Sequence, residues 1–357
     1  MSDCRIGFYV HHHGQGHANR TREIARQLEA EVYLFGSDLS LFSAPQDERF
    51  VKVHLPSDVD ERKAVKEDWP EALHYAPLGI KGIRERTHLL TRYFDQFNID
   101  LLVVDVSVEI AMLARLCGVP TIYMRQHGYR TDAAHCMAFE SASSLLAPYP
   151  ADWDEPDMPA WVRQKTFYAG GFSRFSTHSL TKDEARTQLE MEEAKPYAVL
   201  MSGFGGSGDW YKKLKQTAEE NSEWQWWVLG PVPASASAPS NLKFWGIQND
   251  PYPFLRGADV VIAAAGNNTV MEVAQLQAHY ICLAEERPFQ EQHSKAKILQ
   301  QKNAALVLDA WPEAEQWPYY LKRVMETDTE ALGQIINEGA AQKAAQHILE
   351  QALSLKV

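Results

Sequence analysis

The sequence predicts an α/β protein of two doubly wound, Rossmann-like halves, and three observations carry the prediction. Short apolar runs alternate with segments of helical periodicity, the alternation starts afresh near Pro196, and glycine-rich turns stand where strands hand over to helices. The 357 residues suffice for two cores, since domains run to roughly 100–200 residues.

RIGFYV, residues 5–10, reads as a strand that breaks into glycines and then into a helix through TREIARQLEA. EVYLFG, DLLVVD and VPTIYMRQ read as further strands, with HLLTRYFDQFN and EIAMLARLCG as helices between them. Such alternation requires right-handed crossovers and a parallel sheet, with ligands outside the carboxyl ends of its strands. In the second half YAVLMSG, QWWVLG, ADVVIAAAG and HYICLA read as strands, and DWYKKLKQTAEE, VMEVAQLQ and SKAKILQQKN as helices. Residues 148–195, with Pro148, Pro150, Pro156, Pro159 and Gly170-Gly171, read as an irregular junction that divides the chain into domains 1–172 and 173–357.

A formal charge of −12 repels phosphate backbones and anionic lipid heads, so nucleic acid is not an expected partner. Cys4, Cys117, Cys136 and Cys282 lie too far apart for a C-x-x-C site or a dense disulfide framework, which suits a reducing compartment. No apolar run approaches the roughly 20 residues that span a bilayer, and the first residues lack the pattern of a secretory leader. The expectation is a soluble, cytoplasmic protein without a transmembrane segment.

The first site candidate is Gly14-Gln15-Gly16-His17-Ala18-Asn19-Arg20, at the handover from first strand to first helix. Glycines there admit another molecule close to the backbone, and a histidine at the carboxyl edge of the sheet suits proton abstraction from a hydroxyl. His17 is therefore the candidate general base, the alternative being a histidine that merely packs the turn. Asp105, ending DLLVVD at the same edge, is placed to orient that imidazole, or else to favour the start of the helix that follows. A metal reading of His11-His12-His13 with His17 fails, because consecutive strand residues alternate faces and no cysteine or carboxylate completes a site. Asp58-Val59-Asp60 and Asp152-Trp153-Asp154 have a two-acid spacing and read as solvated. No metal or other cofactor is expected.

In the second half, Ser202-Gly203-Phe204-Gly205-Gly206-Ser207-Gly208 follows a strand and offers backbone amides to an anion, or forms a tight structural turn. Gly266-Asn267-Asn268-Thr269 opens a helix whose positively polarised end stabilises a diphosphate. Glu272, read in the first turn of that helix, suits ribose hydroxyls or a capping role. Pro288-Phe289-Gln290-Glu291-Gln292-His293 brings polar side chains to the same edge.

The stretch ADVVIAAAGNNTVMEVAQLQAHYICLAEERPFQEQHSKAKILQQKNAALVL resembles the donor-binding half of GT-B glycosyltransferases, near family 28, the peptidoglycan N-acetylglucosaminyltransferase branch. Thr269, Glu272, Glu291 and Gln292 match the family pattern, whereas Lys295-Ala296 stands where asparagine-alanine is usual. The resemblance implies a GT-B fold, two Rossmann-like domains facing across a cleft, with the last helix packing back on the N-terminal domain. It further implies that Gly266, Asn267, Asn268 and Thr269 hold the diphosphate; the anion-binding reading of the Ser202–Gly208 loop puts Ser202, Gly203, Gly205 and Gly206 on the donor side as well. Glu272 would hold the ribose, Glu291 and Gln292 the sugar, and Ile247 and Gln248 the base. Gly14, Gly16 and Arg20 resemble the family's acceptor-side loop, with Gln126 and His127 on the same side.

The activity so implied is metal-independent, inverting transfer of a sugar from a nucleotide-diphosphate sugar, a UDP-sugar by resemblance, to a hydroxyl of a soluble or lipid-linked acceptor. The pattern G-x-G-H-x-x-R also resembles the nucleotide-sugar hydrolase of pseudaminic acid synthesis, in which water replaces the acceptor. A non-catalytic nucleotide-sugar-binding protein is the third reading.

Overall fold

The structure, a computed structural model, describes residues 4–11, 15–60, 69–202, 210–233 and 237–356. The chain divides into two compact units, Met1–Phe172 with Asn337–Val357, and Ser173–Ile336.

In the first unit β1 (Arg5–Val10), α1 (Gln15–Arg26), β2 (Glu31–Gly36), β3 (Val51–His54), α2 (Lys81–Gln96), β4 (Leu101–Asp105) and α3 (Val108–Leu116) are followed by β5 (Thr121–Met124), α4 (Ala133–Ser141), β6 (Ser144–Ala147), α5 (Ala160–Lys165) and β7 (Thr166–Tyr168). These strands make one parallel sheet in the order β3-β2-β1-β4-β5-β6-β7. The second unit runs α6 (Lys182–Gln188), β8 (Tyr197–Met201), α7 (Trp210–Glu220), β9 (Gln225–Leu229), β10 (Leu242–Gly246), α8 (Tyr252–Gly257) and β11 (Val260–Ala263). It continues with α9 (Asn267–Leu276), β12 (His279–Leu283), α10 (Glu291–Gln301), β13 (Leu306–Leu308), α11 (Trp317–Met325) and α12 (Glu330–Gly333). Its parallel sheet has the order β10-β9-β8-β11-β12-β13. The closing helix α13 (Ala340–Leu355) belongs to the first unit and packs on α1.

Both sheets are covered on two faces, which is why their strands are nearly continuous apolar runs. In the first unit Ile6, Phe8 and Val10 face a core with Ile24 of α1 and Ala344, Ala345 and Ile348 of α13. The alternate residues Tyr9, Leu102, Val104 and Tyr123 face Leu90 and Phe94 of α2, with Ala111 of α3. In the second unit Leu200, Val228, Val260 and Ile262 pack with Leu214 of α7 and with Trp317, Leu321 and Val324 of α11.

The strand order reverses direction between β1 and β4, and again between β8 and β11. A crevice opens at such a switch point, because successive connections leave to opposite faces.

Several segments differ from the sequence reading. Residues 148–195 are not irregular, since they hold α5, β7 and α6. Helix α1 starts at Gln15, earlier than the apolar periodicity indicates, and β3 and β10 were not foreseen because they are short and half exposed. All four cysteines are free. Among the described residues no helix is long and apolar enough to cross a membrane.

Ile348 has no exposed surface and anchors α13 in the first unit's core. Ile348→Ala is expected to cost about 2–5 kcal/mol, read as a lowered urea midpoint with an unchanged m-value.

Candidate active site

Three of the predicted residues converge at the switch point of the first sheet. His17 lies in the first turn of α1 rather than in the turn before it, directly after β1, and Asp105 is the last residue of β4. His17 Nδ1 stands 3.0 Å from Asp105 Oδ2, and Arg20, one turn further along α1, donates from Nη2 to both carboxylate oxygens at 2.6 Å. The side chains of Arg20 and Asp105 are 3% and 4% exposed, while that of His17 keeps 15%. The imidazole is thus the member of this trio that a substrate can reach.

Burial pushes the Asp105 carboxyl upward, but the Arg20 and His17 charges and hydrogen bonds outweigh it and hold the group well below the usual carboxylate range. An ionised carboxylate at 3.0 Å places the imidazole proton on Nδ1. Arg20 Nη2 at 3.2 Å and Gln126 Nε2 at 3.4 Å from Nδ1 are then close contacts rather than hydrogen bonds. Nε2 is left with the lone pair.

Asp105 does not cap a helix: α3 begins two residues past Val106, at Val108, and the carboxylate is spent on Arg20 and His17. Val106 adopts a left-handed φ of 56°, and Ser107 N donates to Asp105 O across it at 2.9 Å. A β-branched residue is strained there by about 1–3 kcal/mol, and such strain persists only where the surroundings impose it.

The neighbouring candidates behave differently. Gln126 is buried beside His17, whereas His127 is fully buried, stacked on Tyr149 at 4.1 Å and bonded to Glu155 at 3.1 Å. His127 is therefore a packing residue in this structure rather than a contact open to an acceptor. Of the acids read as solvated, Asp152 is exposed, but two are not: Asp58 pairs with buried Arg86, and Asp154 receives two bonds from Arg125 at 2.8 and 2.9 Å. Gly14 lies outside the described residues, as do Gly203, Gly205 and Gly206.

At the switch point of the second sheet, Ser202 follows β8 and Gly266 follows β11. Gly266 is the N-cap of α9 and brings no side-chain acceptor, so the amides of Asn267, Asn268 and Thr269 form the first turn of the helix at its positive end. Glu272 is the sixth residue of α9, in its second turn, which removes the capping role read for it. It is buried and accepts a bond from Arg174 Nε at 2.7 Å. Burial raises the Glu272 carboxyl above its usual range, against the Arg174 guanidinium. Arg174 also donates to Asn249 O at 3.0 Å, beside Ile247 and Gln248, and was missed because it stands in a stretch without a motif.

Ile247 follows β10 and is 55% exposed, so its side chain is accessible. Glu291 and Gln292 open α10, and Gln292 Oε1 accepts from Glu285 N at 2.8 Å. Phe289 and Gln290 both have left-handed φ, 59° and 53°, so strained backbone again stands next to a predicted contact.

Residues 238–350 match the family described as Glycosyltransferase family 28 C-terminal domain. The crystal structure of Acinetobacter baumannii MurG is similar at a TM-score of 0.63, with 17% identity, over 98% of this chain and 100% of that one. The UDP-glucosyltransferase of Polygonum tinctorium reaches a TM-score of 0.72 at 11% identity over 99% of both chains, and the glycotransferase of kitacinnamycin 0.71 at 14% over 98% and 99%.

The fold is GT-B. The resemblance to family 28 is thereby borne out, over residues 238–350 by sequence and over nearly the whole chain by GT-B architecture. Among curated relatives, an uncharacterized glycosyltransferase of Methanosarcina acetivorans is 24% identical over 254 residues, 67% of this chain and 64% of that protein. One of Methanosarcina mazei is 22% identical over 255 residues, with the same shares. The match thus spans just under two thirds of these relatives' length.

The sign of the Asp105 linkage is fixed by its low folded pKa. The ionised carboxylate stabilises the fold above the unfolded value of about 3.9, and that contribution is lost as pH falls through the folded pKa. In Arg20→Met burial prevails and the carboxyl rises, so the sign reverses. The variant is expected to lose about 3–5 kcal/mol at pH 7, and the gap to wild type should narrow at pH 5 in urea titrations.

Proposed function

We propose that this GT-B protein is a glycosyltransferase that moves a sugar from a nucleoside diphosphate sugar, a UDP-sugar, to an acceptor hydroxyl, with inversion and without a metal ion. The observation that carries the reading is the His17–Asp105–Arg20 arrangement at the first switch point, which leaves Nε2 of a partly exposed imidazole basic. The names of the family, of the relatives and of the similar UDP-glucosyltransferase support the transfer and the base of the donor.

In this mechanism the acceptor hydroxyl passes its proton to His17 Nε2 as its oxygen bonds to the anomeric carbon, while the bond from that carbon to the diphosphate breaks. Attack opposite the leaving group inverts the centre. The Nδ1 proton stays on the imidazole, donated to Asp105, whose charge steadies the imidazolium. Negative charge gathering on the diphosphate is met by the amides of Asn267, Asn268 and Thr269 and by the dipole of α9. Glu272, held by Arg174, takes the ribose hydroxyls, Ile247 covers the base, and Glu291 and Gln292 face the sugar.

A thermal-shift series of uridine, thymidine and guanosine diphosphates and their sugars tests the donor, since stabilisation grows with ligand concentration over Kd. Stabilisation by a UDP-sugar with little free sugar released supports a transferase, whereas rapid release without acceptor shows a hydrolase. No shift with any nucleotide sinks the donor assignment.

His17→Ala is expected to slow turnover about 10²–10⁴-fold with UDP affinity unchanged. Asp105→Asn should cost a comparable factor, because an amide donating to Nδ1 moves the imidazole proton to Nε2 and removes the base. Initial rates beside UDP titration calorimetry check both.

A further inference from the structure

Glu272 depends on a single hydrogen-bond partner. Its side chain is 5% exposed, Oε1 accepts from Arg174 Nε at 2.7 Å, and no described residue donates to Oε2. A carboxylate so deeply buried is costly while half of its acceptor capacity is unused, and a pair of adjacent hydroxyls is the kind of group that uses it.

Arg174 does more than neutralise that charge. Its Nη1 donates to Asn249 O at 3.0 Å, in the segment after β10 that also holds Ile247 and Gln248, and its guanidinium lies 5.4 Å from the centroid of the Phe175 ring. One planar group with donors in fixed directions thus joins α9 to the segment after β10, a fork that an ammonium lacks. Burial pushes the Glu272 carboxyl up, and Arg174 opposes the push. Among the described residues Asp250 is the other charge that bears on it, adding to the push, while α8 and α12, also packed on α9, bring none. Arg174 is what favours the ionised form, and that form accepts from two hydroxyls at once.

We propose that Arg174 is a positioning residue for the donor: through Nε it fixes Glu272 as an acceptor for the ribose hydroxyls, and through Nη1 it sets the segment that meets the base. The proposal rests on the ribose reading of Glu272. Selection of a ribonucleoside over one without vicinal hydroxyls then runs through Arg174.

The test is calorimetric titration of the full chain with UDP and 2′,3′-dideoxy-UDP between about pH 5 and 8, for the wild type, Glu272→Gln, Arg174→Met and Arg174→Lys. The ratio of the two affinities isolates the ribose contact and cancels the titration of the diphosphate, which both ligands carry. The wild type is expected to favour UDP by about tenfold or more, and Glu272→Gln to lose most of that preference. Equal affinities in the wild type, or a preference that Glu272→Gln keeps, overturn the ribose reading and the proposal together.

Once that preference is established, the arginine variants decide the proposal alone. In Arg174→Met the preference is expected to fall by about tenfold near neutral pH, and to vanish at a higher pH than in the wild type, because a carboxyl raised further by burial protonates sooner as pH falls. Arg174→Lys keeps a charge beside Glu272, so the pH at which preference is lost stays near the wild type's, while both ligands bind more weakly because the tie to Asn249 is gone. One common factor of loss for both ligands in Arg174→Met at every pH would reduce Arg174 to a support of the fold and overturn the proposal. An undiminished preference in Arg174→Met would do the same, as would a lysine variant displaced in pH as far as the methionine one. Should Arg174→Met not fold, wild-type affinities for both ligands in Arg174→Lys overturn it.

Discussion

The constraint on which the first unit's chemistry depends is the burial of a charged carboxylate at the end of β4. A side chain 4% exposed does not stay ionised on its own, and Asp105 does so because the Arg20 guanidinium and the His17 N–H, both from a single helix turn, meet it. That requirement propagates backward through the chain. Arg20 and His17 are three residues apart, so both reach one carboxylate only if the helix is already formed at His17. This is why α1 begins at Gln15, immediately after the break from β1. The left-handed Val106 belongs to the same account: Asp105 must end its strand and turn within two residues, and the ion pair holds that strained turn in place.

The second unit meets an equivalent electrostatic task with different materials. Where the first unit gathers formal charges beside His17, the second presents the end of a helix, Lys295 bonded to Asn267, and a carboxylate held by Arg174. In the proposed reaction a base changes charge during turnover and so needs a partner that accommodates both states, whereas a leaving diphosphate only gains charge, for which fixed dipoles suffice.

Much of this was legible in the sequence, and the failures have physical causes. Strands buried on both faces announce themselves, so RIGFYV, DLLVVD, YAVLM and VVIA fall where the apolar runs put them. The short β3, with only Val53 buried, and the half-exposed β10 carry too little apolar signal. Residues 148–195 misled because prolines suggest loops, yet Pro159 sits at the N-cap of α5, where it starts a helix rather than ending one. At the site, His17 and Asp105 were visible from their positions at strand ends. The second role of Arg20 was not, because a pairing 85 residues apart leaves no periodicity. Glu272 was misplaced by one helical turn, since glycine and two asparagines mask where α9 starts.

Asp58 and Asp154, two of the acids that seemed solvated, point to how the first unit holds its loops. Asp58 and Arg86 tie the segment after β3 to α2, while Arg125 after β5 is tied to Asp154 beyond β6, with Tyr168 of β7 bonded to the same carboxylate. Glu109 of α3 accepts from the backbone amides of His74 at 2.5 Å and Tyr75 at 2.7 Å. Each tie costs desolvation that a hydrophobic pair would avoid, so stability alone does not account for them. What they provide is direction: a carboxylate with two fixed donors sets a loop's path in a way an apolar contact does not. Loops set in this manner lie at the carboxyl end of the same sheet as His17, where the proposed reaction would hold an acceptor hydroxyl against a single nitrogen. The charged interior of this unit fits that one demand of the proposal, that the segments around a base of narrow reach be rigid.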